Sequence, residues 1–317
     1  MRLNIIILCC LLLLLFSCKK QETQATQKPL ILVSIHPYEL LVRQMVGDGF
    51  EVRSLIPANA SPHTWSAHPA DLRDLNKADL VITNGLGLEN SLAQSLASIK
   101  DNHLICAELL RDLVALDSLK QVKKQIMHHE HEAEIEHEHE HEEGHNHVHS
   151  GTDPHLWTSP LLMQKLATKL KALLVEKFPE FAPVINHNTD EVIADLGKAH
   201  EKISSERLSL VSPALVTYHN SFHHFTEEYR IEYLGWVQSS PGKEPTAKEL
   251  AELGKKIKEH KVKTIFTEPQ QNPKSAEILA KEYSLAIKTL DPLGASFGVK
   301  TISELILANW AVMRNGL

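Results

Sequence analysis

Short, unbroken apolar runs recur along this chain, separated by segments of helical length. Lys28 to Ser34 (KPLILVS) is the first run, and Asp79 to Asn84 (DLVITN), closed by Gly85, is the clearest. A strand with one wet face alternates apolar and polar residues, whereas an unbroken run is covered on both faces. Strands are expected at 28–34, 51–56, 79–84 and 103–107. Helices are expected at Tyr38 to Gly47, Asp71 to Lys77 with Asp71 as N-cap, and Glu89 to Ser98. This alternation predicts a parallel sheet with helices on both faces. A second set follows residue 213. Its strands fall at Ala214 to Tyr218, Ile231 to Val237, Thr264 to Thr267 and Ala286 to Leu290. Its helices fall at Phe222 to Tyr229, Thr246 to His260, Lys274 to Tyr283 and Thr301 to Met313. Between the halves lie a helix at Pro160 to Phe178 and a longer one from Pro183 to about Leu210. In the longer helix Val192, Ile193, Leu196, Ala199 and Ile203 recur near the helical period. The chain thus reads as two α/β halves joined by one long helix. Ligands are expected in the crevice at the carboxyl ends of the strands.

The N-terminus stands apart from this pattern. Ile5 to Phe16 is almost wholly apolar, too short for a membrane span of about 20 residues and matched to a secretory signal. It ends in Leu15-Phe16-Ser17-Cys18, similar to a bacterial lipoprotein signal. Residues 1–17 are therefore expected to be removed, Cys18 to carry lipid, and 18–28 to form a polar tether. Of the four cysteines, Cys9 and Cys10 leave with the signal and Cys106 stands alone in an apolar run. No internal disulfide or cysteine zinc site is then available, so a metal must be held by histidine and carboxylate.

From His128 to His149 the sequence becomes low in complexity. Nine histidines (His128, His129, His131, His137, His139, His141, His145, His147 and His149) are mixed with eight glutamates and no Lys or Arg. Such a segment cannot build a core, and it offers many weak, exchanging metal sites. Without Arg2 the chain has 32 basic and 40 acidic residues, a net −8 that this segment alone accounts for. The balanced remainder argues against nucleic-acid binding.

Four other residues occupy strand ends or loop-to-helix junctions. They are His63 in S-P-H-T-W, His155 in D-P-H-L-W, His219 in T-Y-H-N-S-F and Asp291 in L-D-P-L-G. Two come from each half, where a crevice site would draw its ligands, and proline flanks three of them. Imidazole and carboxylate in fours suit zinc. Taken singly, a histidine at a strand end is more often a hydrogen-bonded surface residue, and patterning alone does not bring the four together. His223 and His224 follow His219 by one helical turn and are expected to pack or face solvent, the alternative being support of a ligand from behind; His36, His68 and His260 are further histidines outside the run. Glu268 in F-T-E-P-Q stands where it can orient a ligand histidine through its free N–H.

The segments S-P-H-T-W, D-P-H-L-W-T-S-P, Y-H-N-S-F-H-H-F, F-T-E-P-Q and L-D-P-L-G occur in this order around the His/Glu run. Together they resemble the zinc-binding proteins of ABC zinc importers, the ZnuA-like branch of the cluster A-I solute-binding family, over about residues 29–315. The resemblance implies two lobes of mainly parallel sheet flanked by helices, joined by one rigid linking helix, with the metal in the interlobe cleft. The divisions are an N-terminal lobe at 29–182 holding the 128–149 loop, a linking helix at 183–211 and a C-terminal lobe at 212–317. It implies that His63, His155 and His219 bind the metal, and that Asp291 sits at the family's carboxylate position. It also implies no catalysis, Zn²⁺ as transported ligand, an ABC permease as partner, and a monomer held by its lipid anchor facing the periplasm or cell exterior. Manganese binders of the same family carry Glu where His219 stands, and an imidazole-rich site favours zinc. Rival readings are a zinc hydrolase, for which neither H-E-x-x-H nor H-x-H-x-D is present, and a metal-binding adhesin.

Overall fold

The computed structural model describes residues 28–96, 104–106, 153–211, 213–238 and 242–317. Residues 1–27, with the expected export signal, Cys18 and nearly all of the expected tether, and the His/Glu run lie outside the described residues. Strands β1 (Leu30–Val33), β2 (Glu51–Ser54), β3 (Leu80–Thr83) and β4 (Leu104–Cys106) form an all-parallel sheet in the order β2-β1-β3-β4. Every residue of β3 is buried, as its unbroken apolar run requires. Helix α1 (His36–Val46) connects β1 to β2, and α2 (Pro69–Lys77) precedes β3.

Two local expectations change. Helix α2 begins at Pro69, because proline presets the backbone of a first helical residue. Asp71 therefore lies inside the first turn and caps from there, accepting from His68 N at 2.7 Å. Over the described part of the helix expected at Glu89 to Ser98, a 3₁₀ turn, Asn90–Leu92, leads into α3 (Ala93–Leu96), and residues 97–98 lie outside the described residues. The Glu89 carboxylate bends back to accept from Asn84 N at 2.7 Å and Gly85 N at 2.9 Å, which ties this segment to the end of β3.

Helix α4 (Pro160–Lys177) starts from the Ser159 hydroxyl, which accepts from Leu162 N at 3.1 Å. It packs along the 26-residue α5 (Ala182–Arg207). The buried stripe of α5 is Ile185, Thr189, Val192, Leu196, Ala199 and Ile203. This helix stops at Arg207, short of the expected Leu210. The Arg207 guanidinium donates to the carbonyls of Tyr229, Leu210 and Arg230, fastening the helix end to the second lobe.

That lobe comprises β5 (Ala214–Thr217), α6 (His223–Tyr229), β6 (Glu232–Trp236), α7 (Ala247–Glu259), β7 (Thr264–Thr267), α8 (Lys274–Tyr283), β8 (Ala286–Thr289) and α9 (Ile302–Arg314). Its sheet is again parallel, in the order β6-β5-β7-β8. Strand order therefore reverses between β1 and β3 in one lobe and between β5 and β7 in the other. At such points the connections leave in opposite directions and open a crevice.

Helix α9 returns toward the first lobe. Ile302 N donates to Gln44 Oε1 at 3.1 Å. Trp310 Nε1 donates to Glu206 Oε2 at 2.7 Å, and Arg314 pairs with the same carboxylate. A continuous apolar core joins Leu32, Leu41, Leu196, Leu305 and Trp310, while Val216, Leu253, Ile265 and Leu279 pack a second core. The long helix α5 thus joins the lobes as expected, and α9 adds a second clamp between them. Among the described residues no helix is long and apolar enough to cross a membrane.

Candidate metal centre

The three histidines meet in the cleft. Their ligand-capable ring nitrogens lie within 4.8 Å of one another. His63 comes from the loop after β2, where Thr64 N and Trp65 N turn back to Ser61 O. His155 precedes the 3₁₀ turn Leu156–Thr158, and His219 stands two residues beyond β5. His155 and His219 are 5% and 7% exposed, so water has almost no access to their rings. The Nε2 atoms of His63 and His155 are 3.2 Å apart, and those of His219 and His155 are 3.3 Å apart. A tetrahedron with zinc–nitrogen bonds of about 2.0–2.1 Å has an edge of about 3.3–3.4 Å. His155 is therefore spaced from each of the other two rings by about one edge of such a tetrahedron.

Carboxylates hold the far side of two rings. Asp153 Oδ1 is 2.9 Å from His155 Nδ1 and also accepts from His155 N at 2.8 Å. Glu268 Oε1, one residue past β7, is 2.7 Å from His219 Nδ1. A carboxylate beside Nδ1 keeps the proton there and turns the Nε2 lone pair outward. Two such lone pairs facing each other across a dry cleft lack a partner, and a divalent cation supplies one.

The charges respond to this packing. Burial acts to raise Asp153, but His155 and His224 beside it hold the carboxyl well below the usual range. Burial acts to lower His219, yet the Glu268 carboxylate prevails and raises it above the ordinary imidazole value. Burial dominates at His224, which is lowered. His224 Nε2 donates to Asp153 O at 2.9 Å, and Asn220 Nδ2 donates to Asp153 Oδ2 at 3.1 Å. Both donors belong to the second lobe and grip a residue of the first.

Asp291 is not part of the three-histidine group. It is fully buried, and its oxygens are already occupied. Oδ1 accepts from Gln270 Nε2, Leu293 N and Gly294 N, and Oδ2 from Ser296 N and Oγ. The Asp-Pro-Leu-Gly turn folds its backbone donors onto its own carboxylate. Glu268 takes the orienting position foreseen for it. Asp153 and Asn220 are new, although each lies within two residues of a clustered histidine (Asp153 in Asp-Pro-His, Asn220 in His-Asn). His36 and His260 sit elsewhere, against Glu39 and Glu232.

Two parallel-sheet lobes clamped by long helices, with three imidazoles converging between them, define a two-lobed metal-binding protein. Residues 31–316 match the family described as zinc-uptake complex component A, periplasmic; the chain belongs to this family of solute-binding components of metal uptake. It is 33% identical over 266 residues to the high-affinity zinc uptake system protein ZnuA of Haemophilus ducreyi, covering 84% of this chain and 85% of that one. The corresponding protein of Haemophilus influenzae is 30% identical over 293 residues, with 83% and 85% covered. A crystal structure of ZnuA superposes with a TM-score of 0.71 at 25% identity, covering 92% of this chain and 99% of that one.

Replacing Glu268 by alanine frees the His219 ring to rotate and lets its proton move between nitrogens. Metal affinity is expected to fall by about 10–100-fold while the melting temperature of the metal-free protein changes little. Competition titration against a chromogenic chelator reads the first, and thermal unfolding the second.

Proposed function

We propose that this chain captures Zn²⁺ outside the cytoplasm through His63, His155 and His219 and hands it to the permease of an ABC uptake transporter. The observation that carries the reading is the Nε2 spacing of 3.2 and 3.3 Å among three rings, two of them backed by the Asp153 and Glu268 carboxylates. Three neutral imidazoles with an open fourth position suit zinc better than manganese, which prefers carboxylate-rich, higher-coordinate sites. The relatives named as high-affinity zinc uptake proteins support the same metal. Asp291 is left out of the ligand set because its oxygens are occupied, and the fourth place falls to water or to a group brought by the transporter.

In this reading the protein does no chemistry on its ligand. It works as a monomer of two lobes, residues 29–182 and 212–317, around a linking segment at 183–211. Cleavage before Cys18 leaves a lipidated cysteine and a short tether that keep the protein at the membrane near its permease. The Leu-Phe-Ser-Cys signal carries this, and a relative in Streptococcus pneumoniae, 26% identical over 293 residues, is named a zinc-binding lipoprotein. The His/Glu run at 128–149 serves as an accessory collector whose weak sites raise the local zinc concentration.

His219→Ala is expected to weaken zinc binding by orders of magnitude, since a ligand and the ring facing His155 are lost together. Isothermal competition titration in a chain lacking residues 128–149 isolates the central site. An unchanged dissociation constant there would refute the assignment. Zinc must also displace the proton from each Nε2, so affinity falls with falling pH. Because Glu268 raises His219, the decline is expected to begin above the ordinary imidazole value of about 6.5. Affinity that stays constant between pH 7.5 and 5 would contradict histidine ligation.

A further inference from the structure

The first lobe supplies two of the clustered histidines by different means. His155 belongs to a segment tied to the second lobe by Asn220 on Asp153 and by Trp157 Nε1 donating to Pro292 O at 2.8 Å. His63 instead rides on an irregular loop between β2 and α2 and is the least buried of the three rings. Such a loop needs an external hold to keep a ring within ligand distance of another lobe.

Gln270 provides one. It follows Glu268 in the turn after β7, where Gln271 N closes back on Glu268 O at 3.2 Å. Its Nε2 donates to Ala58 O, in the His63 loop, at 2.8 Å and to Asp291 Oδ1 at 2.9 Å. Both neighbours are pure acceptors, so the amide cannot be reversed without setting oxygen against oxygen. Its Oε1 is buried without a partner, and the side chain lines the same cavity as the three histidines. An amide that leaves one buried atom unsatisfied is held in place by its other bonds. Asp291 provides the fixed end. Besides its carboxylate bonds, its N donates to Asn309 Oδ1, and its O accepts from Asn309 Nδ2.

We propose that Gln270, anchored on Asp291, is the positioning residue that holds the His63 loop against the second lobe and thereby sets how slowly the cleft releases zinc. The inference rests on the zinc reading above and assigns Asp291 a structural part in it. Ala58 lies only five positions before His63, so release of the Ala58 carbonyl lets the ring move away from His155 and His219. The lobes need not part, because α5, α9 and the Trp157 bond remain.

The test is a chelator chase of full-length mature protein loaded with one equivalent of zinc. Gln270→Met keeps the length and removes both donors. It is expected to speed zinc release by about tenfold, the scale of one lost buried hydrogen bond to a loop. Gln270→Glu should act in the same direction, through repulsion with Asp291, and serves if the methionine variant folds poorly. The decisive comparison repeats the substitution in a His63→Ala background. If Gln270 acts through His63, release there changes by less than about twofold, because the two sites are coupled. The same acceleration in both backgrounds would show a role independent of His63 and overturn the proposal, as would unchanged release from Gln270→Met. A wild-type chain that retains no zinc would overturn the zinc reading itself; retention by wild type with either contrary result would overturn only the part given to Gln270.

Discussion

Which nitrogen an imidazole offers depends on what holds the other one, and in this cleft two carboxylates, the buried Glu268 and the partly buried Asp153, do the holding. Asp153 backs His155 and Glu268 backs His219. Each carboxylate has lost most of its water, a cost that only close hydrogen-bond donors offset. On Asp153 the donors are His155 Nδ1, the His155 amide and Asn220; on Glu268 the Ser221 hydroxyl donates and the His219 ring lies in ion-pair contact at 2.7 Å. Satisfying the carboxylates therefore commits the rings. Their Nε2 lone pairs then face one another across about the edge of a zinc tetrahedron, so the metal enters a site whose orientation has already been set.

The surrounding architecture maintains this arrangement because the site belongs to neither lobe alone. His219 and Glu268 flank the strand-order reversal of the second sheet, one beyond β5 and one beyond β7. The first lobe brings His63 and the 153–157 segment to meet them. Helix α5 and the returning α9 share one apolar core with the first lobe, and polar bonds at Asp153, Trp157 and Gln270 cross the cleft close to the rings. A small adjustment of a loop can then change metal retention without the lobes separating, which suits a protein that must hold an ion tightly and still give it up.

Much of this is legible in the sequence, and the reasons differ by level. Strands β1, β3, β5 and β7 appear as nearly unbroken apolar runs because they are buried on both faces, whereas β2, β6 and β8 are partly exposed. Helix α5 appears through the period of Val192, Leu196, Ala199 and Ile203. The three clustered histidines appear by position, since strand ends and loop-to-helix junctions are where α/β folds open crevices. Asp291 illustrates the limit. Its placement in a Leu-Asp-Pro-Leu-Gly turn marks it equally well as a ligand or as a carboxylate wrapped by its own turn, and only the hydrogen bonds from Leu293, Gly294 and Ser296 separate the two. Gln270 closes the segment F-T-E-P-Q, but its role is not legible there, because its partners are a backbone carbonyl 212 positions away and a carboxylate in another loop. The helix expected at Glu89 opens instead as a 3₁₀ turn for a similar reason: a side chain spent on the end of β3 overrides local propensity.

The central claim is that three imidazoles, and not a carboxylate-rich set, surround the metal. X-ray absorption at the zinc edge tests it most directly, on the mature protein lacking residues 128–149 and loaded with one equivalent of zinc. The account predicts three imidazole nitrogens at about 2.0–2.1 Å, with their outer-ring scattering, and one further light atom. A first shell with one imidazole or none, or with five or six oxygen ligands, would contradict it.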